Sequence, residues 1–289
     1  MQYVQGGGCT SVGVIGWHIG GGYGSWSKKF GTGPANMLEA RVVTANGEVV
    51  VASEYQNEDL FFALRGGGFG FGVIVSLTVR THPLPELFGL TLGSVHAKDE
   101  ESAKDLITSF LEFYKLNLLG INWGEQFTIN PEGNGVGIDL SMSAVDLTEE
   151  EMNLVWQPFW EWVNSRPQDF TYEFSAFAFL ARDFWDSSFN VPLGFANPTP
   201  YDPKEPERGF FWGANQGEIS AYWVFYISRF LRMDQILDDT RLGMEKLLAL
   251  VKGTGAGVGI HTNKAQYGAS EWAVKELEKT PMHPSIKGI

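Results

Sequence analysis

The sequence predicts an α+β architecture in two parts, and three observations carry that expectation. Glycine makes up 35 of the 289 residues, well above the ordinary share of roughly 7%. Eleven of these glycines fall between Gly6 and Gly33, and a second knot runs from Gly66 to Gly72. Around the knots the pattern is β-rich up to Pro85. Beyond His82-Pro83-Leu84-Pro85 it changes to the order β-α-β-β-α-β, which predicts an antiparallel sheet with helices on one face. The break divides the chain into residues 1–86 and 87–289.

The elements follow from local signals. Leu38 to Val43 and Glu48 to Ala52 flank Asn46-Gly47, a strong hairpin signal. Asn57 is placed to cap a short helix from Glu58 to Arg65, and Gly66 sits where a terminating glycine belongs. Val73, Val75, Leu77 and Val79 alternate as a strand does. In the second part, a strand near Leu90 to His96 precedes a helix from Glu101 to Leu118. Trp123 to Ile129 and Val136 to Val145 read as strands joined through Asn130-Pro131-Glu132-Gly133-Asn134-Gly135. Thr148 with Glu151 forms a capping box for a helix to Val163, which Pro158 should kink or split. On that helix Trp156, Phe159, Trp160 and Val163 share one face and belong to the core. Phe170 to Phe179 is a strand whose aromatic residues serve sheet packing ahead of any substrate cleft. Asn190 to Gly209 reads as a loop, Ser220 to Phe230 as a strand and Met233 to Val251 as a helix.

The net charge of −13 and the sequence pI near 4.8 disfavour nucleic acid and anionic membrane surfaces as partners. No apolar run approaches the roughly 18 residues of a membrane span, and the first residues have neither the basic nor the apolar region of a leader. The single cysteine, Cys9, excludes an internal disulfide and a multi-cysteine metal site. The five histidines show no metal-ligand spacing, so no metal is expected. His18 reads as a packing residue. Gly-x-Ser-x-Gly is absent. A Rossmann turn also fails, because neither glycine knot has the Gly-x-Gly-x-x-Gly spacing and the second precedes a strand rather than a helix. Glu125 and Glu218 are strand carboxylates that nothing raises above ordinary surface acids, so no catalytic residue is assigned.

An ordered series of motifs goes further. Cys9-Thr10-Ser11-Val12-Gly13, Gly16, Gly20-Gly21-Gly22-Tyr23-Gly24, Ser27-Lys28-Lys29-Phe30-Gly31 and Asn36-Met37-Leu38-Glu39-Ala40-Arg41-Val42-Val43 occur in unbroken order. Asn57-Glu58-Asp59-Leu60-Phe61-Phe62-Ala63-Leu64-Arg65-Gly66-Gly67-Gly68 and Phe71-Gly72-Val73 follow. The series resembles the vanillyl-alcohol-oxidase (PCMH) type of FAD-binding domain, in its berberine-bridge-enzyme-like branch. More weakly, Ser228-Arg229-Phe230-Leu231 and Gly268-Ala269-Ser270 to Met282-His283-Pro284-Ser285 are similar to the substrate domain of that branch.

The resemblance implies that residues 1–86 are the second half of an FAD-binding domain and residues 87–289 a substrate-binding domain. It implies FAD as cofactor, bound by Cys9, Thr10, Ser11, Gly13, Gly16, Gly20, Gly21, Gly22, Gly24, Asn36, Gly72 and Val73. Glycine suits this role, since backbone N–H groups can approach a pyrophosphate where no Cβ intervenes. Asn36 is placed to bond either backbone or cofactor. Cys9 stands where the family's cysteine bonds covalently to the isoalloxazine ring; a second link, through a histidine, comes from a segment upstream. The implied activity is oxidation of an alcohol, sugar or C–N substrate, with hydride passing to flavin N5, a base taking the proton and O2 reoxidising the cofactor. Smaller departures are Gly70 where bacterial relatives often have Asn, and Thr32-Gly33-Pro34 where Leu-Ala-Ala is common. The family also has an upstream flavin subdomain and a downstream segment closing the substrate domain, both expected to lie outside this chain. A second chain supplying the upstream subdomain is therefore an expected partner, beside a small-molecule substrate. The rival reading is a non-catalytic binding or scaffold module with a vestigial flavin site.

Overall fold

The computed structural model describes residues 1–8, 12–194, 196–198, 210–212, 234–261 and 269–280. In chain order the first elements are β1 (Gln2–Tyr3), α1 (Val14–Ile19), α2 (Ser27–Phe30), α3 (Gly33–Asn36), β2 (Met37–Val43), β3 (Val49–Ser53), α4 (Glu58–Leu64), β4 (Val73–Val79) and β5 (His82–Pro83). Next come β6 (Leu87–Ala97), α5 (Glu100–Asn117), β7 (Trp123–Glu132), β8 (Gly135–Val145), α6 (Glu149–Asn164) and β9 (Phe170–Leu180). A 3-10 turn (Ala181–Trp185), α7 (Ser187–Asn190), β10 (Ala196–Pro198), β11 (Phe210–Trp212), α8 (Asp234–Leu237), α9 (Thr240–Thr254), β12 (Val258–His261) and α10 (Glu271–Glu278) complete the set.

These elements form two compact units. The first takes residues 1–86 with the described residues of 179–229 and 269–288. Its sheet is antiparallel in the order β3-β2-β4, and β1 pairs with β5. Alternation along β2 turns Ala40 and Val42 inward, where they meet Ala52, Ile74, Ile19 and the Phe61 and Leu64 side chains of α4. The hairpin turns through Gly47 at φ +83°, a conformation that costs a Cβ-bearing residue energy.

The second unit takes residues 87–178 with the described residues of 230–268. Its antiparallel sheet has the order β12-β7-β8-β6-β9, which is the ferredoxin-like arrangement of a β-α-β-β-α-β unit with β12 added beside β7. β6 and β8 run in register from Phe88 opposite Val145 to His96 opposite Gly137. α5, α6 and α9 contribute Phe110, Trp156 and Leu247 to a core shared with Phe127 and Met142 of the strands. The sequence-predicted face of α6 lies in that core, Trp156 fully and Phe159, Trp160 and Val163 nearly so. Tyr172 stacks on Trp160 with ring centroids 5.2 Å apart and Phe174 lies 4.4 Å from it, so β9 packs on α6.

Several sequence-based expectations need correction. The glycine-rich start contains three short helices, because its glycines punctuate the apolar and aromatic residues of α1 to α3 rather than separating strands. Asn57 occupies the N-cap position of α4, as expected, but is left-handed at φ +49° and its side chain makes no capping bond; its amide donates to the Val51 carbonyl instead. β7 continues through Asn130 and Pro131 to Glu132, leaving a shorter turn at Gly133. α6 is not split at Pro158. The helix expected over Met233 to Val251 is two helices, interrupted where Asp239 caps the second by accepting from the Leu242 N–H. The Asn190 to Gly209 segment holds the end of α7 and β10; the expected strand Ser220 to Phe230 lies outside the described residues.

Candidate cofactor site

The glycine-rich connection is built around one indole. Trp17, on α1, has its ring against three glycines that are far apart in the connection. A Cβ at Gly22 would fall 2.2 Å from the ring, at Gly33 2.7 Å and at Gly7 2.8 Å. Its Nε1–H donates to the Tyr23 carbonyl at 3.2 Å. Backbone bonds fix the same turns: Gly22 N–H to the Trp17 carbonyl at 2.7 Å and Gly33 N–H to the Gly22 carbonyl at 2.7 Å. Gly24 N–H donates to Ser27 Oγ at 2.8 Å.

This geometry separates the predicted cofactor glycines into two groups. Gly20, Gly22, Gly24 and Gly72 are required by the protein's own packing, since a Cβ at each would collide with Gly16 O, Trp17, Gly6 O or Val42. Gly21 is required by its φ of +87°. Gly13 has open space around the position of a Cβ, and Gly16 meets only the tip of Phe69 at 3.5 Å. Gly6 and Gly8 are open in the same way. Gly13 is extended and precedes α1 with no side chain capping it, so backbone can be approached there. Val73 is exposed at the start of β4. Cys9, Thr10 and Ser11 lie outside the described residues.

Asn36 is fully buried, and its side chain is committed to protein. Its amide donates to the Phe30 and Thr32 carbonyls at 2.8 and 2.9 Å. Its Oδ1 accepts from His82 Nε2–H at 2.8 Å, and its backbone carbonyl accepts from Arg80 N–H. Burial, then the Arg80 charge, holds His82 below the usual histidine range. His18 is buried against Trp17, which supports the packing role; burial lowers its pKa, opposed by the bond from Nδ1 to the Val14 carbonyl at 2.8 Å. Its Nε2 and the buried Thr32 Oγ1 have no hydrogen-bond partner among the described residues. Lys28 is buried as well, and desolvation lowers its pKa to about 8.

The second unit carries a titratable cluster on the sheet face opposite its helices. His96 Nδ1–H donates to Glu132 Oε2 at 2.8 Å, leaving Nε2 to accept from Ser94 Oγ at 3.0 Å. Glu132 reaches across Gly137, where a Cβ would fall 2.4 Å from its carboxylate. The pair orients an imidazole that can take or give a proton. The Glu125 side chain and all of Glu218 lie outside the described residues. Among the described residues no group of three metal-ligating side chains occurs, and no helix is long and apolar enough to cross a membrane.

No family profile matches the chain. FAD-linked oxidoreductase apf9 of Gibberella fujikuroi is 33% identical over 193 residues, 62% of this chain and 32% of that protein. Monolignol oxidoreductase AtBBE-like 13 of Arabidopsis thaliana is 48% identical over 80 residues, 27% of this chain and 15% of that protein. The VAO-type flavoprotein MtVAO713 of Myceliophthora thermophila shares the fold, with a TM-score of 0.53 and 25% identity over 62% of this chain and 33% of its own. Over the parts that align, the chain is similar to FAD-linked oxidoreductases and to VAO-type, berberine-bridge-like flavoproteins. It spans about a third of the length of the first curated relatives it matches.

The residues present fit a flavin nucleotide in two respects. Backbone at Gly13 and Gly16 is open to close approach, and two buried polar atoms nearby in the sequence, on His18 and Thr32, have no hydrogen-bond partner among the described residues. The Ser94–His96–Glu132 cluster is not evident from the sequence. Its available signal was the two-residue spacing of Ser94 and His96, which puts both on one strand face; the approach of Glu132 depends on register across β8.

Proposed function

We propose that the chain is part of an FAD-dependent oxidoreductase. The observation that carries this reading is the ordered glycine and Cys9 series, supported by 48% identity over 80 residues of the chain to a monolignol oxidoreductase. FAD, when bound, supplies hydride acceptance and its return to O2. The chain's own contribution is to hold and orient. Open backbone at Gly13 and Gly16 takes the cofactor's polar groups, and Cys9 is the one thiol able to form a covalent link. The packing glycines and Trp17 keep the connection in one shape. The second unit offers a sheet face for an alcohol, sugar or C–N substrate, and on it His96, held by Glu132, is a group able to hold a substrate proton.

Val12, Val14, Phe69, Phe71 and Val73 are 45 to 80% exposed. Apolar residues so exposed support a partner in this reading, a second chain that covers them and supplies the upstream flavin subdomain.

The test is anaerobic mixing of the FAD-loaded protein with panels of alcohols, sugars and amines while the visible flavin band is followed. Bleaching by one class, reversed on admitting air, is the expected result. A flavin that dithionite bleaches but no panel member does would instead favour the scaffold reading.

A further inference from the structure

α10 grips the glycine-rich connection from a distant part of the sequence, and it does so at three successive points. Ser270 caps the helix; its Oγ donates to the Lys29 carbonyl at 3.1 Å, across 241 residues of sequence, and its N–H donates to the Lys28 carbonyl at 2.7 Å. Trp272 lies over Gly31, where φ is +75° and a Cβ would fall 2.9 Å from the ring. The same ring meets His82 edge-on at 5.2 Å and the Arg80 guanidinium at 5.3 Å. Glu276 pairs with Arg65 at 3.2 Å. Arg65 is buried, donates to the Pro34 carbonyl at 2.9 Å and also meets Glu54 at 3.3 Å. A buried guanidinium depends on such partners to stay in place.

The gripped segment, with Ser27 just before it, is also bonded to the glycine run, by Gly33 N–H to the Gly22 carbonyl and by Gly24 N–H to Ser27 Oγ. α2 and α3 are four-residue helices, far below the roughly 12 residues at which an isolated helix becomes even marginal. Glycine backbone also loses the most freedom on ordering. Tertiary contact must therefore supply the shape of this connection.

We infer that Ser270, Trp272 and Glu276 are positioning residues and that α10 is a strap setting the conformation of the cofactor-binding connection. The functional consequence rests on the FAD reading above; the strap itself does not.

The experiment compares the full chain with its Trp272→Ala and Trp272→Phe variants, by amide hydrogen exchange and by titration with FAD. In Trp272→Ala, exchange at Gly24, Gly31 and Gly33 rises about tenfold while β7 and β8 keep their protection. FAD affinity falls with it, and Trp272→Phe restores most of both. If Trp272→Ala fails to fold, Glu276→Gln, which keeps the side chain's shape, is read by the same criteria. Exchange unchanged at the three glycines, or raised equally throughout the chain, overturns the strap. Locally raised exchange in a chain whose wild type takes no FAD upholds the strap and removes the cofactor reading.

Discussion

Asn36 shows how a residue's type can be legible while its task is not. An asparagine after a glycine-rich connection announces hydrogen bonding, but only the folded chain reveals that two carbonyls and His82 use its whole side chain. Asn36→Ala would leave those buried groups unpaired and should destabilise the first unit by about 3 kcal/mol, measured by denaturant unfolding. Lys28 gives a pH signature. Burial holds its folded pKa at about 8 against 10.5 for the free side chain. Between those values the unfolded chain binds more protons than the folded one, so stability rises with pH across that window. Thermal melts of wild type should show this rise from pH 8 to 10.5, and the Lys28→Met variant should lack it. Nothing in the sequence marked Lys28 over Lys29 as the buried one, since both sit in the same polar-looking turn.

Among the elements, those with strong local signals were readable and those defined by partners were not. The β2–β3 hairpin, the α6 capping box and the core face of α6 follow from Asn46-Gly47, Thr148 with Glu151, and the spacing of Trp156, Phe159, Trp160 and Val163. Thr148 accepts from the Glu151 N–H while Glu151 reaches back to the Thr148 N–H. Removing the hydroxyl in Thr148→Ala should cost about 1 kcal/mol, read by the same unfolding measurement with the second unit's tryptophans as reporter. α1 to α3 escaped because glycine masks their short helical pattern. β12 escaped because it is only four residues long and Gly259 interrupts its alternation. Pro131 was read as a loop residue, yet it sits in a strand facing Val136, a place proline tolerates where its missing N–H is not needed.

At the scale of the molecule, the division near residue 86 was legible because Pro83 and Pro85 interrupt the β pattern. The return of the chain to the first unit was not, since α10 meets Lys29 and Arg65 across more than 200 residues and local pattern carries no such information. The second unit's core is more self-contained: Trp156 is fully buried among Phe113, Trp123, Phe159 and Phe174. The likeness to FAD-linked oxidoreductases, together with the Cys9 and glycine series, points to FAD as the cofactor. The direct measurement is the visible spectrum of the purified chain and its Cys9→Ala variant, before and after acid precipitation and washing. Flavin absorbance that stays with the wild-type pellet and washes out of Cys9→Ala is the predicted result. Colourless protein from both, with no FAD taken up when it is added, would contradict a cofactor site in this chain.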